Sequence, residues 1–114
     1  MPAASDDRVV ADLHAHTTLS DGTMTVDEVP AAAREAGVDW VAVTDHDSVH
    51  PEIDAPVVVR DGVRIVRGIE LRVDAGFGRL DLLGYGVEHT GALDAEIDRL
   101  QRDRRERGAA ILDA

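Results

Sequence analysis

Five short polar clusters in this sequence hold residue types that do chemistry together: Asp12-Leu13-His14-Ala15-His16, Ser20-Asp21-Gly22, Thr44-Asp45-His46-Asp47, Gly68-Ile69-Glu70 and Asp81-Leu82-Leu83-Gly84-Tyr85. Two histidines at i and i+2 project from one face of a β-strand, so one metal ion can accept both imidazoles. Imidazole and carboxylate together suit zinc, manganese or iron. A carboxylate such as Glu70 has two oxygens and can bridge a pair of ions. A lone His-x-His pair or a lone Ser-Asp-Gly turn is a weak signal, because polar residues after strands often only cap helices. As a set, the clusters hold three of the five histidines together with several acids and point to metal binding.

For these residues to converge, each cluster must end a strand or open a loop. In α/β sheets the carboxyl ends of the strands form the ligand face. The apolar pattern meets that demand with a strand over residues 8–16, a helix over 26–36 and a strand over 38–44. Thr25 and Glu28 form a capping box, Pro30 should distort the first helical turns, and Gly37 stops the helix. Strand, helix and strand make a βαβ unit with parallel strands. A loop over 45–56 follows, with a short helix expected near 50–53, then a short strand at 57–59 and a turn at Asp61-Gly62. A strand over 63–72, with Glu70 near its end, then turns through 74–78 into a strand over 79–86, as a hairpin. Thr90 caps a last helix over 92–114. Its inner stripe is Leu93, Ile97, Leu100 and Ile111, and Asp98/Arg102 and Asp103/Arg107 are pairs on its wet side.

The set resembles the PHP family (polymerase and histidinol phosphatase domain). The resemblance rests on His14-Ala15-His16-Thr17 with Ser20-Asp21-Gly22, Thr44-Asp45-His46-Asp47, Gly68-Ile69-Glu70 and Leu82-Leu83-Gly84-Tyr85-Gly86, and runs in order from residue 8 to about 111. It is similar to the stand-alone phosphoesterase branch, which includes 3′,5′-nucleotide phosphatases and RNA 5′-end exonucleases. The resemblance implies an α/β fold, the N-terminal part of a distorted (β/α)7 barrel, with up to three manganese, iron or zinc ions in the complete domain. It implies His14 and His16 as ligands of a first metal, Glu70 as the bridge to a second, and Asp21 and His46 as ligands of a third. Through those ions Glu70, Asp21 and His46 are expected to carry catalysis. Asp81 stands where the family usually has a histidine. An aspartate there either ligates through oxygen, favouring manganese or magnesium over zinc, or leaves the second metal weak or lost.

The reaction implied is hydrolysis of a phosphomonoester, nucleotide or short oligonucleotide by a metal-bound hydroxide attacking phosphorus in line. Two alternatives stand beside it: a non-catalytic, metal-stabilised PHP module, and an amidohydrolase-like C–N hydrolase. The latter typically carries a bridging lysine, and this chain has none. The family's remaining ligands come from the later half of the barrel. Residues 8–114, behind a flexible leader at 1–7, are therefore expected to form the N-terminal part of one domain, either a fragment or completed by another polypeptide. Asp12 and Asp45 either accept hydrogen bonds from ligand imidazoles or cap strand ends. His50 and His89 read as surface loop residues. Arg104 and Arg105 either reach a substrate phosphate or form a solvated basic face.

Composition narrows the classes further. The chain has 114 residues, 12 basic and 23 acidic, for a net charge of −11, and no cysteine. A disulfide scaffold and a cysteine zinc site are excluded. A complete eight-fold barrel needs about 200 residues or more. No apolar run approaches the roughly 20 residues of a membrane span, and the first residues lack the apolar core of a signal peptide, so a cytoplasmic location is expected. So acidic a surface should not bind nucleic acid in bulk, and a phosphate substrate needs metal ions to offset the repulsion. All 12 basic residues are arginine, which fits either adaptation to high salt or a GC-rich genome. Salt screens self-repulsion, so the halophilic account predicts a melting temperature that rises strongly from low salt to molar KCl. A flat response would favour the GC-rich account.

Overall fold

Short runs of β-branched residues separated by glycine and aspartate turns dictate a five-stranded sheet with helices beside it. The computed structural model describes residues 8–74, 76–88 and 90–113, excepting the side chains of Arg104 and residues 107–113. The leader at 1–7, His89, the Ile111 position on the last stripe, the Asp103/Arg107 pair and the Arg104 side chain lie outside the described residues and side chains. The elements run β1 (Ala11–Ala15), a 3-10 turn (Val26–Glu28), α1 (Val29–Ala36), β2 (Trp40–Val43), β3 (Val57–Arg60), β4 (Val63–Asp74), β5 (Arg79–Tyr85) and α2 (Gly91–Asp113).

The sheet order is β1-β2-β4-β3, with β5 also on β4. β1, β2 and β4 are mutually parallel, so the expected βαβ unit forms. β3 and β5 are antiparallel to successive parts of β4, which explains why β4 continues past Glu70 to Asp74: β5 supplies its ladder, with Glu70 opposite Leu83 and Asp74 opposite Arg79. Among the described strands, β1 is an outer one, and Val9, Val10 and Leu13 beside or within it are exposed.

The helix expected over 26–36 divides into a 3-10 turn and an α-helix, with Pro30 in the first α-turn. Glu28 accepts hydrogen bonds from the Thr25 amide (2.9 Å) and hydroxyl (3.0 Å). Gly37 closes α1 at φ 73°, a left-handed cap that glycine adopts without steric cost. Val26, Val29 and Ala33 from this segment pack on Val41, Val43, Val63 and Ile65 of the sheet. Each fully buried valine or isoleucine contributes roughly 1.5–3 kcal/mol.

Three details depart from the sequence reading. The strand expected over 8–16 is shortened to Ala11–Ala15. The short helix expected near 50–53 is a single turn, closed by the Ile53 amide on the His50 carbonyl at 3.2 Å. Pro51 lies within that turn and Pro56 soon follows it, which leaves little room for a longer helix. On α2, Ile97 and Leu100 are buried as expected, and Thr90 caps the helix through the Leu93 amide at 3.1 Å. Its exposed ion pairs join Arg99 to Glu96 and Asp103, where Asp98/Arg102 had been expected.

Candidate metal centre

Glu70 sits in the middle of β4, 3% exposed. Its backbone is fastened on the β2 side: its amide donates to the Asp45 carbonyl (3.0 Å) and its carbonyl accepts from the Asp47 amide (2.8 Å). That isolated parallel bridge carries His46 alongside it. Glu70 Oε1 meets His14 Nε2 at 2.6 Å and His16 Nε2 at 2.7 Å, and His46 Nδ1 lies 3.8 Å away. Asp21 forms a second hub: its Oδ1 meets His16 Nδ1 at 2.6 Å and its Oδ2 meets His46 Nε2 at 3.0 Å. His16 therefore belongs to both groups.

Two devices hold the loop that presents Asp21. Asp45 is completely buried, and its carboxylate accepts hydrogen bonds from the Thr17 amide (2.7 Å), the Thr17 hydroxyl (2.8 Å) and the Ser20 hydroxyl (2.6 Å). Gly22 then closes the turn on the chain that follows β1, its amide donating to the Thr17 carbonyl at 2.9 Å. A Cβ at Gly22 would lie 2.2 Å from the His16 carbonyl oxygen, so only glycine fits. Thr17 and Ser20 are thus positioning residues: both stand in the motifs read from the sequence, but their hydrogen bonds to Asp45 had no signal there.

The structure also answers the question about Asp12 and Asp45. Neither accepts from an imidazole: Asp12 takes the His14 backbone amide at 3.1 Å, and Asp45 holds the Thr17–Ser20 loop. His50 corrects the expectation of a surface residue, because it is buried at 6% exposure, with its Nδ1 accepting the Glu52 amide at 3.2 Å. The loop folds back over Ile53, which is itself buried, and takes His50 with it. Arg105 is exposed.

Of the six residues picked out as ligands, five come together: His14, His16, Asp21, His46 and Glu70. The structure does not bring Asp81 to them. The β4–β5 register sets Asp81 opposite Arg72, two residues beyond the Glu70–Leu83 pair, and its carboxylate lies 3.6 Å from the Arg72 guanidinium.

The electrostatics favour a cation. Partial burial pulls His16 down, but its hydrogen bonds to Glu70 and Asp21 prevail and hold its pKa above the ordinary imidazole value. Burial pushes Glu70 up, but its bonds to His14 and His16 and the nearby His46 hold it below the usual carboxylate range. Desolvation likewise raises Asp21 less than His16 and His46 lower it. Both carboxylates are therefore ionised, and a metal cation would compete with the His16 proton. The donor atoms fall into two groups, His14/His16/Glu70 and His16/Asp21/His46, each with its atoms within 4.8 Å of one another. His46 Nδ1 is buried without a hydrogen-bond partner, as a nitrogen reserved for a ligand would be. The residues fit a divalent ion at either group, with His16 common to both.

Fold and donor set together describe an α/β module that gathers candidate metal donors where β1 and β2 end beside the middle of β4. The PHP domain family model matches residues 12–110, and the chain belongs to that family. It is similar to the phosphoribosyl 1,2-cyclic phosphate 1,2-diphosphodiesterase of Eggerthella lenta, 40% identical over 83 residues, covering 70% of this chain and 32% of that protein. It is also similar to the 5′-3′ exoribonuclease Rnm of Escherichia coli, 30% identical over 107 residues (91% and 36% covered). The 3′,5′-nucleoside bisphosphate phosphatase of Chromobacterium violaceum is 32% identical over 98 residues (84% and 34% covered). A solved structure of an amidohydrolase from Chromobacterium violaceum, with bound sulfate and no metal, superposes with a TM-score of 0.75 at 30% identity, covering 88% of this chain and 36% of that one. The chain thus spans about a third of the length of these relatives. No helix among the described residues is long and apolar enough to cross a membrane.

Because Asp81 is engaged by Arg72, Asp81→Ala should bind as many metal ions as the parent, measured by elemental analysis after dialysis. Loss of an ion would show that Asp81 leaves Arg72 to act as a ligand.

Proposed function

We propose that residues 8–114 are the N-terminal part of a PHP metallohydrolase domain that hydrolyses small phosphoesters, such as a nucleotide or the end of a short oligonucleotide. The observation that carries the reading is the convergence of two donor groups on a shared His16, between the ionised carboxylates of Glu70 and Asp21. Manganese, iron or zinc suits this set, with up to three ions in a complete domain. Bound there, divalent ions supply a Lewis acid for phosphoryl oxygens and lower the pKa of water.

The chain's own residues have distinct tasks. Glu70 supplies buried negative charge that brings His14 and His16 to one oxygen. Asp21 orients His16 and His46 from the exposed side. Asp45, Thr17, Ser20 and Gly22 hold Asp21 in place. His16, whose pKa the two carboxylates hold above the ordinary imidazole value, would bind a cation in place of a proton. The acidic surface fits a small substrate held through metals rather than a long nucleic-acid tract. The solved neighbour is described as an amidohydrolase, but the activities named for the three relatives found by sequence are all on phosphoesters, and with the absence of lysine they favour this chemistry over C–N hydrolysis. The exposed outer strand β1 and the length of the relatives support completion by further polypeptide, and we place the protein in the cytoplasm.

In the complete polypeptide containing these residues, loaded with Mn²⁺, release of phosphate from adenosine 3′,5′-bisphosphate or p-nitrophenyl phosphate should be abolished by EDTA and by His46→Ala. The segment 1–114 alone should bind at most two ions, one per donor group, with little turnover. Robust turnover by the isolated segment would overturn its assignment as a part. Metal uptake without turnover of any phosphoester by the complete polypeptide would leave a non-catalytic module.

A further inference from the structure

We propose that Tyr85 and Asp12 are positioning residues that clamp a bulge in β1 and so set where His14 meets Glu70. The inference rests on the reading of His14 as a metal ligand. β1 pairs with β2 as Ala11↔Trp40, Asp12↔Val41 and Ala15↔Val43, so three steps along β1 match two along β2. One extra residue is therefore inserted at Leu13-His14, where the ladder to β2 lapses. Among the described strands β1 has no second neighbour to take over those backbone groups.

Two side chains take them instead. Asp12 Oδ1 accepts the His14 amide at 3.1 Å, and the Tyr85 hydroxyl donates to the Leu13 carbonyl at 2.8 Å. Tyr85 comes from β5, which is not β1's neighbour, so its reach depends on the curl of the sheet. Its cross-strand partner is Gly68, which has no side chain to obstruct it. A Cβ at Gly68 would also meet the Gly84 carbonyl oxygen at 2.7 Å and Thr44 Cγ2 at 2.8 Å.

His14 lies within the bulge and His16 follows the strand. The two rings lie 5.0 Å apart between centroids, inclined at 67°. Their Nε2 atoms both reach the same Glu70 oxygen, at 2.6 and 2.7 Å. Tyr85 and Asp12 hydrogen-bond to neither Glu70 nor an imidazole; they act through the two backbone groups of the Leu13–His14 peptide.

The test is Mn²⁺ titration calorimetry on the full chain, paired with His14 ring resonances in the metal-free protein. Tyr85→Phe should weaken the affected metal by about tenfold, shift the His14 ring resonances and leave binding by His16, Asp21 and His46 as in the parent. Asp12→Ala should act likewise, and Asp12→Asn, which keeps an acceptor oxygen, should restore the parent values. In a His14→Ala background, Tyr85→Phe should cost nothing further. Parent-like titration and unshifted His14 resonances in Tyr85→Phe would overturn the clamp. So would an equal loss in the His14→Ala background. If the parent itself takes up no Mn²⁺, the metal reading fails, and the His14 resonances alone decide whether the clamp exists.

Discussion

One buried oxygen, Glu70 Oε1, receives two imidazoles, and the arrangement of the sheet follows from that constraint. An ionised carboxylate at 3% exposure is costly unless charge or hydrogen bonds compensate it. The compensation comes from histidines 54 and 56 residues earlier in the chain. They reach it because β1, β2 and β4 run parallel and the ends of β1 and β2 lie beside the middle of β4. The βαβ crossover, with Val26, Val29 and Ala33 packed on Val41, Val43, Val63 and Ile65, enforces that parallel order. Core packing and site geometry are therefore coupled through β4. Its early residues lie in the apolar cluster, and its middle carries the charge.

A second buried carboxylate does different work. Asp45 is wholly enclosed and satisfied by three donors from the loop after β1. It converts that loop from a flexible connection into a rigid support for Asp21. Asp21 is itself exposed and has no packing to hold it. An exposed carboxylate on a supported loop and a buried carboxylate on a strand together bracket His16 from opposite sides.

Much of this was legible in the residues. The two-residue spacing of His14 and His16, the Ser-Asp-Gly turn, and acids and histidines closing apolar runs marked all five residues that converge. The βαβ unit, the hairpin and the last helix follow from periodicity and from Thr25, Gly37 and Thr90 at their ends. What escaped depends on contacts distant in sequence. The bulge at Leu13-His14 is held in part by a tyrosine 72 residues away, and no local pattern announces it. The burial of His50 follows from the path of a proline-containing loop, and the position of Asp81 from the β4–β5 register. That register puts Asp81 on the same face as Glu70 but two residues further along β4, beside Arg72.

The central claim is that Glu70 holds the centre together by its charge. Its direct measure is the metal content of Glu70→Gln after reconstitution and dialysis, read by elemental analysis beside a parent control. Glutamine keeps the shape of the side chain and leaves the backbone bonds to Asp45 and Asp47 available, so the fold should remain. The account predicts loss of bound metal in that variant, with circular dichroism unchanged. Full metal content in Glu70→Gln would contradict it.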